Sequence, residues 1–192
     1  MSTNPPPRLR ADARRNREKV LEAAETLMAS AGVSASMEEI ARQAGVGVGT
    51  LYRNFPTKEQ LLQAVHLNRL ERLVAEATAR LSAADPGQAF FGFFSLMVEQ
   101  SRLKRAYATA LADAGMDDEP VRKVGQELRN AVDGLLVRAQ DAGVVRPDVG
   151  IRSLMALIAG ACLAAENAGW DAPLQDSTLT IIFDGLRFHG AR

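Results

Sequence analysis

The stretch SMEEIARQAGVGVGTLYRNFPTK, residues 36–58, is the most informative part of this 192-residue chain. It predicts a helix of about eight residues, a tight turn at Gly45, and a second short helix. The residues Val46, Leu51, Tyr52 and Phe55 of the second helix can pack on Ile40 and Ala41 of the first, which is the pattern of a helix-turn-helix. Any hairpin of two helices also needs a glycine turn, so this pattern alone leaves a purely structural role open.

Capping signals fix where the helices around this segment begin. Ser36-Met-Glu-Glu39 predicts a capping box, in which the serine oxygen and the Glu39 side chain satisfy free amides of the first turn. Thr57-Lys-Glu-Gln60 repeats this signal and predicts the start of a long helix through Leu81. An amphipathic helix ending at Gly32 precedes the segment, with one apolar stripe formed by Val20, Leu21, Ala24, Leu27, Met28 and Ala31.

The remaining chain also has helical periodicity, and sustained apolar/polar alternation is absent, so we predict an all-α fold. Gly and Pro clusters divide it into predicted helices near residues 86–100, 102–114, 119–142, 149–168 and 177–188. These helices predict a bundle that follows the helix-turn-helix.

Composition is that of a globular protein, with 47% hydrophobic and 24% charged residues. The 23 basic and 23 acidic residues cancel, which argues against a uniformly basic nucleic-acid-binding protein. The balance differs along the chain, however. Residues 1–19 carry six basic against two acidic residues, a net charge of +4, whereas residues 20–60 and 61–192 each carry −2.

Several classes of protein are excluded by what the sequence lacks. The uncharged apolar run 153–165 is shorter than the roughly 20 residues of a membrane-spanning helix, and the polar start does not resemble a secretory signal, so we expect a cytoplasmic protein with no membrane partner. Cys162 is the single cysteine, and Gly45 to Gly49 lacks the spacing of a P-loop. We therefore expect no cofactor, no metal and no enzymatic activity.

The motif Ile40-Ala-Arg-Gln-Ala-Gly-Val46, followed by Gly49-Thr-Leu-Tyr52, Phe55 and Lys58, resembles the N-terminal domain of tetracycline-repressor-like (TetR/AcrR) transcriptional regulators. The resemblance implies a helix-turn-helix DNA-binding domain over residues 14–60 and a ligand-sensing and dimerisation bundle over 61–192. It further implies a homodimer that represses transcription from a palindromic operator and responds to a small-molecule effector. A helical carrier or protein-interaction module without DNA binding is the alternative.

The candidate DNA-binding residues lie in and beside the motif. Val48 and Thr50 open the second helix and suit base edges, while Gly49 permits close backbone approach. By resemblance, Tyr52 and Lys58 contact phosphates. The full set is Ser36, Arg42, Gly47, Val48, Gly49, Thr50, Tyr52, Arg53 and Lys58.

Several positions in this segment leave alternatives open. Gly47 stands where the family usually has a serine cap; glycine is an acceptable cap but brings no hydroxyl for a phosphate, so that backbone contact is left open. Arg42 and Arg53 either read guanine or remain solvated or phosphate-bound. Asn54 stands where many relatives carry histidine, and we expect it to face the DNA backbone or to cap locally.

Residues 1–13 are predicted to form a flexible basic arm. Its basic residues, with those that follow directly, are Arg8, Arg10, Arg14 and Arg15. The arm either contacts DNA, as arms of other helix-turn-helix proteins do, or is a solubilising tail.

The C-terminal bundle contains two further candidate sites. Small residues four apart on helix 149–168 predict a close helix contact, and the candidate dimer interface consists of Ala156, Gly160, Ala164, Ile181 and Leu186. The candidate pocket, in which most aromatic residues are also expected to be core, consists of His66, Phe90, Phe94, Met97, Tyr107, Leu128, Met155 and Glu166. Glu166 is either part of that pocket or an exposed carboxylate at a helix end.

Overall fold

The computed structural model describes residues 7–31, 34–103 and 119–190. This part of the chain is all-α, as predicted. Its elements are α1 (Pro7–Ala31), α2 (Met37–Ala44), α3 (Val48–Asn54), α4 (Lys58–Arg80), α5 (Pro86–Glu99), a 3₁₀ turn (Gln100–Leu103), α6 (Glu119–Asp141), α7 (Ile151–Ala168) and α8 (Ala172–Leu186). The predicted helix 102–114 lies mostly outside the described residues.

The chain divides into two compact units. The described N-terminal unit extends through Asn68, and the C-terminal unit comprises Arg69–Arg102 and the residues from 119 onward. Helix α4 therefore contributes its first half to one unit and its second half to the other. The functional boundary at residues 60 and 61 remains a prediction.

The N-terminal unit is built on α1, which packs against α2 and α3. Met28, Ile40 and Leu51 are fully buried at the centre of its core. Helix α1 begins at Pro7, so residues 7–13 are helical here and the prediction of a flexible arm was wrong for them. The physical reason is that proline is tolerated in the first helical turn and the Arg, Leu and Ala residues that follow favour a helix.

The C-terminal unit has its own core, in which α5, α6 and α7 pack together. Asp85 caps α5 by accepting a 3.0 Å hydrogen bond from the amide of Gln88. Phe93 and Phe94 are buried in the core. The Phe94 ring lies edge-on to Phe183 at 5.4 Å, which ties α8 to α5.

The end of α4 fits between α5 and α6. The guanidinium of Arg138 donates to the carbonyls of Arg80 and Ala83 at 3.3 and 2.9 Å, satisfying acceptors at the helix terminus. A Cβ atom at Gly134 would lie 3.0 Å from the Leu81 side chain. A glycine on α6 is thus what allows Leu81 to approach.

Helix α8 begins five residues earlier than predicted. Asp171 accepts a 2.9 Å hydrogen bond from the Leu174 amide, and Pro173 lies in the first turn, where no proline N–H is needed. Residues 172–176, which lie between two of the helices predicted from the sequence, are therefore the first residues of α8. At its other end, Val145 and Arg187 form a bridge, and the Arg146 amide donates to Leu186 at 3.0 Å.

Helix α7 is, within the part of the chain that the structure describes, the one helix long and apolar enough to cross a membrane. Leu154, Ile158 and Ala165 from one of its faces belong to the core of the C-terminal unit. Core helices of water-soluble proteins have the same composition, so this property does not by itself indicate a membrane.

Candidate nucleic-acid interface

The start of α2 is fixed by the predicted capping box. The Ser36 oxygen accepts from the Glu39 amide at 3.2 Å, and the Ser36 amide donates to Glu39 Oε2 at 2.9 Å. These bonds hold the pKa of Glu39 below its usual value, with the backbone N–H of Ser36 as the largest cause and its hydroxyl as the next. The Ser36 hydroxyl is thus already engaged by Glu39 at 3.0 Å.

Two glycines shape the turn between α2 and α3. Gly45 has φ +66°, a left-handed conformation that favours glycine, and its N–H bonds the end of α2. Gly47 is the N-cap of α3, and its carbonyl accepts from the Thr50 amide at 2.8 Å. Lacking a side chain, Gly47 leaves the first amides of α3 uncapped by any hydroxyl.

Helix α3 presents most of its surface to solvent. Leu51 is its buried residue and anchors it to the core of the N-terminal unit. Val48 and Tyr52 remain 40% and 42% exposed, large values for apolar and aromatic side chains. Gly49 and Arg53 are also exposed, so a reading surface of Val48, Gly49, Tyr52 and Arg53 is available for contact.

Hydrogen bonds within α3 preset its polar side chains. Arg53 donates from Nε to the Gly49 carbonyl at 3.1 Å and from Nη2 to Thr50 Oγ1 at 3.0 Å. Asn54 donates to the Thr50 carbonyl at 2.8 Å, so it caps locally as expected. Thr50 and Arg53 consequently present their remaining polar groups together.

Tyr52 has a partner that the sequence did not reveal. Its hydroxyl donates to Glu38 Oε1 at 3.4 Å. Glu38 is exposed in the first turn of α2, fourteen residues away, a distance at which no helical spacing would pair them. The hydroxyl predicted to meet a phosphate therefore lies beside a carboxylate in the DNA-free chain.

Two further basic residues lie on the helices before and after α3 in the chain. Arg42 is exposed in the last turn of α2, and Lys58 is the first residue of α4. Thr57 accepts a 3.2 Å hydrogen bond from the Gln60 amide, which fixes the start of α4 and hence the position of the Lys58 backbone. Both lie in the N-terminal unit with α3.

Two basic residues of α1, Arg14 and Arg15, have acidic partners within the helix. Arg14 lies 3.6 Å from Glu18, and Arg15 pairs with Asp12; all four side chains are exposed. Such surface pairs contribute little to stability, so both cations can exchange partners. The backbones of Arg8 and Arg10 lie in α1, whereas their side chains are outside the described residues.

Arg17, which the sequence did not single out, stacks over the Phe55 ring at 5.2 Å. This contact joins α1 to the residue that follows α3. Its stacked position favours a structural role for this cation over a DNA contact.

The candidate pocket residues that the structure describes belong to both units. Phe90, Phe94 and Leu128 are buried in the C-terminal core, with Met97 and Met155 partly buried against it. His66 is buried but belongs to the N-terminal unit, and Tyr107 lies outside the described residues. Glu166 is half-buried, with its Oε1 atom enclosed, so it is not a simple exposed carboxylate.

The candidate dimer residues divide in a similar way. Ala156, Gly160 and Ala164 are exposed on one face of α7, and Ile181 on α8 is 74% exposed. Leu186 was wrongly included, because it is only 5% exposed and packs in the core of its own chain. The bridge that follows α8 holds Leu186 against that core.

A capped α2, a left-handed glycine turn and an exposed, anchored α3 together define a helix-turn-helix of the DNA-binding class. Comparison with known proteins agrees. Residues 20–65 match the family model "Bacterial regulatory proteins, tetR family", and residues 85–188 match "Transcriptional regulator SbtR-like, C-terminal domain". The chain belongs to the TetR family of DNA-binding transcriptional regulators, which is not a family of enzymes.

Solved structures extend the similarity over nearly the whole chain. A TetR transcription regulatory protein from Mycobacterium vanbaalenii is 38% identical with a TM-score of 0.77, and covers 93% of this chain and 99% of its own. A TetR regulator from Streptomyces coelicolor is 32% identical with a TM-score of 0.75, over 91% and 99%. RolR, solved with resorcinol, shares the fold at 22% identity and a TM-score of 0.55, over 92% of this chain and 89% of its own.

Similarity to curated proteins covers a shorter segment. An HTH-type transcriptional regulator of Staphylococcus aureus (strain USA300) is 44% identical over 54 residues. That match spans 28% of this chain and 29% of the relative.

Proposed function

We propose that this chain is a dimeric repressor that binds a palindromic operator through α3 and releases it when a small, mainly apolar ligand binds the C-terminal unit. The observation that carries the proposal is the exposed surface of α3 on a helix anchored by Leu51. A seven-residue helix that exposes this much apolar and aromatic surface suits the major groove.

We expect some residues in and around the reading surface to contact bases and others to contact phosphates. Val48 and the Thr50 methyl group suit a thymine methyl, and Arg53 suits a guanine. Tyr52, Lys58 and the amides near Ser36 suit phosphates, which position the protein without specifying sequence. Arg42, Arg14 and Arg15 supply further exposed positive charge in the N-terminal unit.

Dimerisation is proposed through α7 and α8. The exposed small residues of α7 permit close approach of a second helix, and Ile181 adds apolar area that a partner would cover. A two-fold dimer requires two half-sites arranged as a palindrome, separated by about one helical turn of DNA or more. We further propose that the protein acts in the cytoplasm without a membrane partner.

Ligand release follows from linkage. A ligand that binds better to the state without DNA shifts the population toward that state, by as much as its affinities for the two states differ. The partly buried thioethers of Met97 and Met155 beside the aromatic core support a mainly apolar ligand in the C-terminal unit. RolR indicates that this fold can hold a small ring compound.

The test is selection of bound sequences from a random duplex pool, followed by a screen of small molecules against the selected site. The expected result is an enriched palindrome whose affinity falls steeply with salt. Arg53→Gln is the variant expected to lose binding. Lys123→Gln, at an exposed position of α6, is its charge-matched control. If no palindrome is enriched, or if both variants behave alike, the proposal is wrong.

A further inference from the structure

The C-terminal end of α7 contains a carboxylate that the fold does not satisfy. Among the described residues, Oε1 of Glu166 is buried and meets no hydrogen-bond donor. Buried polar atoms in folded proteins are nearly always paired, and burial of a charged group without a partner is costly. A group that remains in this condition is a candidate binding determinant.

Among the described residues, no cation reaches Oε1 of Glu166, although α6, which packs against α7, carries four basic residues, Arg122, Lys123, Arg129 and Arg138. Helices α5, α7 and α8 contain a single basic residue, Arg152. Arg152 and Glu166 are fourteen residues apart on α7, or about 21 Å at the usual helical rise. The other charged residues of these three helices are acidic: Glu99, Asp176 and Asp184.

The surroundings of Glu166 on α7 are apolar. Met155 lies three helical turns earlier on the same edge of the helix, and Cys162 lies one turn earlier. Cys162 Sγ is 3.6 Å from the carbonyl of Met97, and the Cys162 carbonyl accepts a 3.3 Å hydrogen bond from buried Ser101. Along this edge of α7, the thioether of Met155 comes first, Cys162 packs against the end of α5, and the carboxylate of Glu166 comes last.

We propose that Glu166 is the anchor for an organic cation, an ammonium group on an apolar body, in the C-terminal unit. The carboxylate pairs with the ammonium, and the body lies along the Met97 and Met155 side chains. This inference rests on the proposed function, because the cation is taken to be the effector that the C-terminal unit senses. The inference restricts the proposed ligand class from mainly apolar molecules to those that also carry a positively charged head group.

Trp170 provides a direct reporter. It is the only tryptophan in the chain, it is buried, and it lies four residues after Glu166, just beyond the end of α7. Three probes share a phenyl body and differ in head group: phenethylamine, 2-phenylethanol and 3-phenylpropanoate. Their binding to the full chain is followed by Trp170 emission and by the rise in Tm.

The expected result is saturable binding of the amine, at least tenfold tighter than the alcohol, and no binding of the carboxylate. Glu166→Gln should remove the preference for the amine, whereas Glu99→Gln, an exposed carboxylate at the end of α5, should leave it intact. Equal binding of amine and alcohol, no binding of the amine, or retention of the preference in E166Q would each overturn the proposal.

A second measurement needs no ligand. If Glu166 lacks a partner in the protein, Glu166→Met should raise the Tm of the free chain by about 2–4 °C or more, because an unsatisfied buried group is removed. A fall in Tm would mean that the carboxylate is satisfied within the chain, and the proposal would be wrong. Amine binding that leaves operator affinity unchanged would support the site and count against the sensing function alone.

Discussion

The guanidinium of Arg53 donates a 3.0 Å hydrogen bond to the hydroxyl of Thr50, one turn earlier on the reading helix. A second bond, from Nε to the Gly49 carbonyl, holds the arginine against α3 in the DNA-free chain. The orientation of the cation therefore depends on the hydroxyl, and neither residue presents its polar groups independently.

This pairing predicts that Thr50 and Arg53 are coupled in base recognition. Thr50→Val keeps the shape and a methyl group but removes one of the two hydrogen bonds that orient Arg53, so operator affinity should fall and tolerance at the contacted base pair should rise. A double-mutant cycle with Arg53→Gln, measured by fluorescence anisotropy on the selected operator, should give a coupling free energy of about 0.5–3 kcal/mol. Additive single effects would show that the two side chains act separately.

The contact between Tyr52 and Glu38 predicts that Glu38 restrains DNA binding. Glu38→Gln removes a negative charge beside a hydroxyl proposed to meet a phosphate, so affinity for random duplex DNA should increase several-fold at low salt. Tyr52→Phe should instead weaken binding, because it loses the donor. Glu127→Gln on α6 is an exposed control expected to change nothing; weaker binding by E38Q would contradict the prediction.

Acid sensitivity of the N-terminal unit should depend in part on Glu39. Its pKa is lowered from 4.5 by hydrogen bonds from the Ser36 amide and hydroxyl, and the unfolded chain lacks these bonds. The ionised carboxylate therefore stabilises the folded state above about pH 4.5, and this contribution is lost as the pH falls through the lower folded pKa. Urea midpoints of the wild type and Glu39→Gln should differ most at neutral pH and converge in acid; a constant gap would refute this assignment.

Two helical glycines offer a matched test of the dimer. A Cβ atom at Gly125 on α6 or Gly160 on α7 would meet nothing within 4 Å in the single chain. Gly125→Ala should stabilise the protein by about 0.5–1 kcal/mol through helix propensity. Gly160→Ala should gain the same in the protomer but weaken self-association several-fold in sedimentation experiments, because its methyl group meets the partner helix. Unchanged self-association in G160A would show that the dimer interface does not include Gly160.

The hydrogen bonds of Arg138, here called the Arg138 clamp, predict a large stability effect in the C-terminal unit. Arg138→Gln removes the charged donor that bonds the carbonyls of Arg80 and Ala83, so we expect a loss of about 1–3 kcal/mol in the free energy of unfolding. Lys123→Gln, exposed on the same helix, should cost less than about 0.5 kcal/mol. Equal denaturant midpoints for the two variants would rule out the clamp.

The features predicted correctly from the sequence are those set by neighbouring residues. The capping box of Ser36 and Glu39 and the left-handed turn at Gly45 depend on a few consecutive residues, and both are present. The local cap by Asn54 was predicted for the same reason.

The features missed depend on distant parts of the chain. Tyr52 meets Glu38 only because the turn brings α2 and α3 together. Leu186 is buried because the chain after α8 pairs with Val145, about forty residues earlier, an association with no signature in the periodicity of α8. The unpaired Oε1 of Glu166 could not be predicted either, since a sequence does not reveal whether a buried carboxylate has a hydrogen-bond donor.

Leu51 alone anchors the seven residues of α3, which has a consequence for evolution. The exposed positions Val48, Gly49, Tyr52 and Arg53 contribute little to the core, so exchanges there cost little folding free energy. A descendant of this protein can therefore acquire a new operator by a few substitutions while its scaffold stays intact. Recognition can diverge faster than the architecture that presents it.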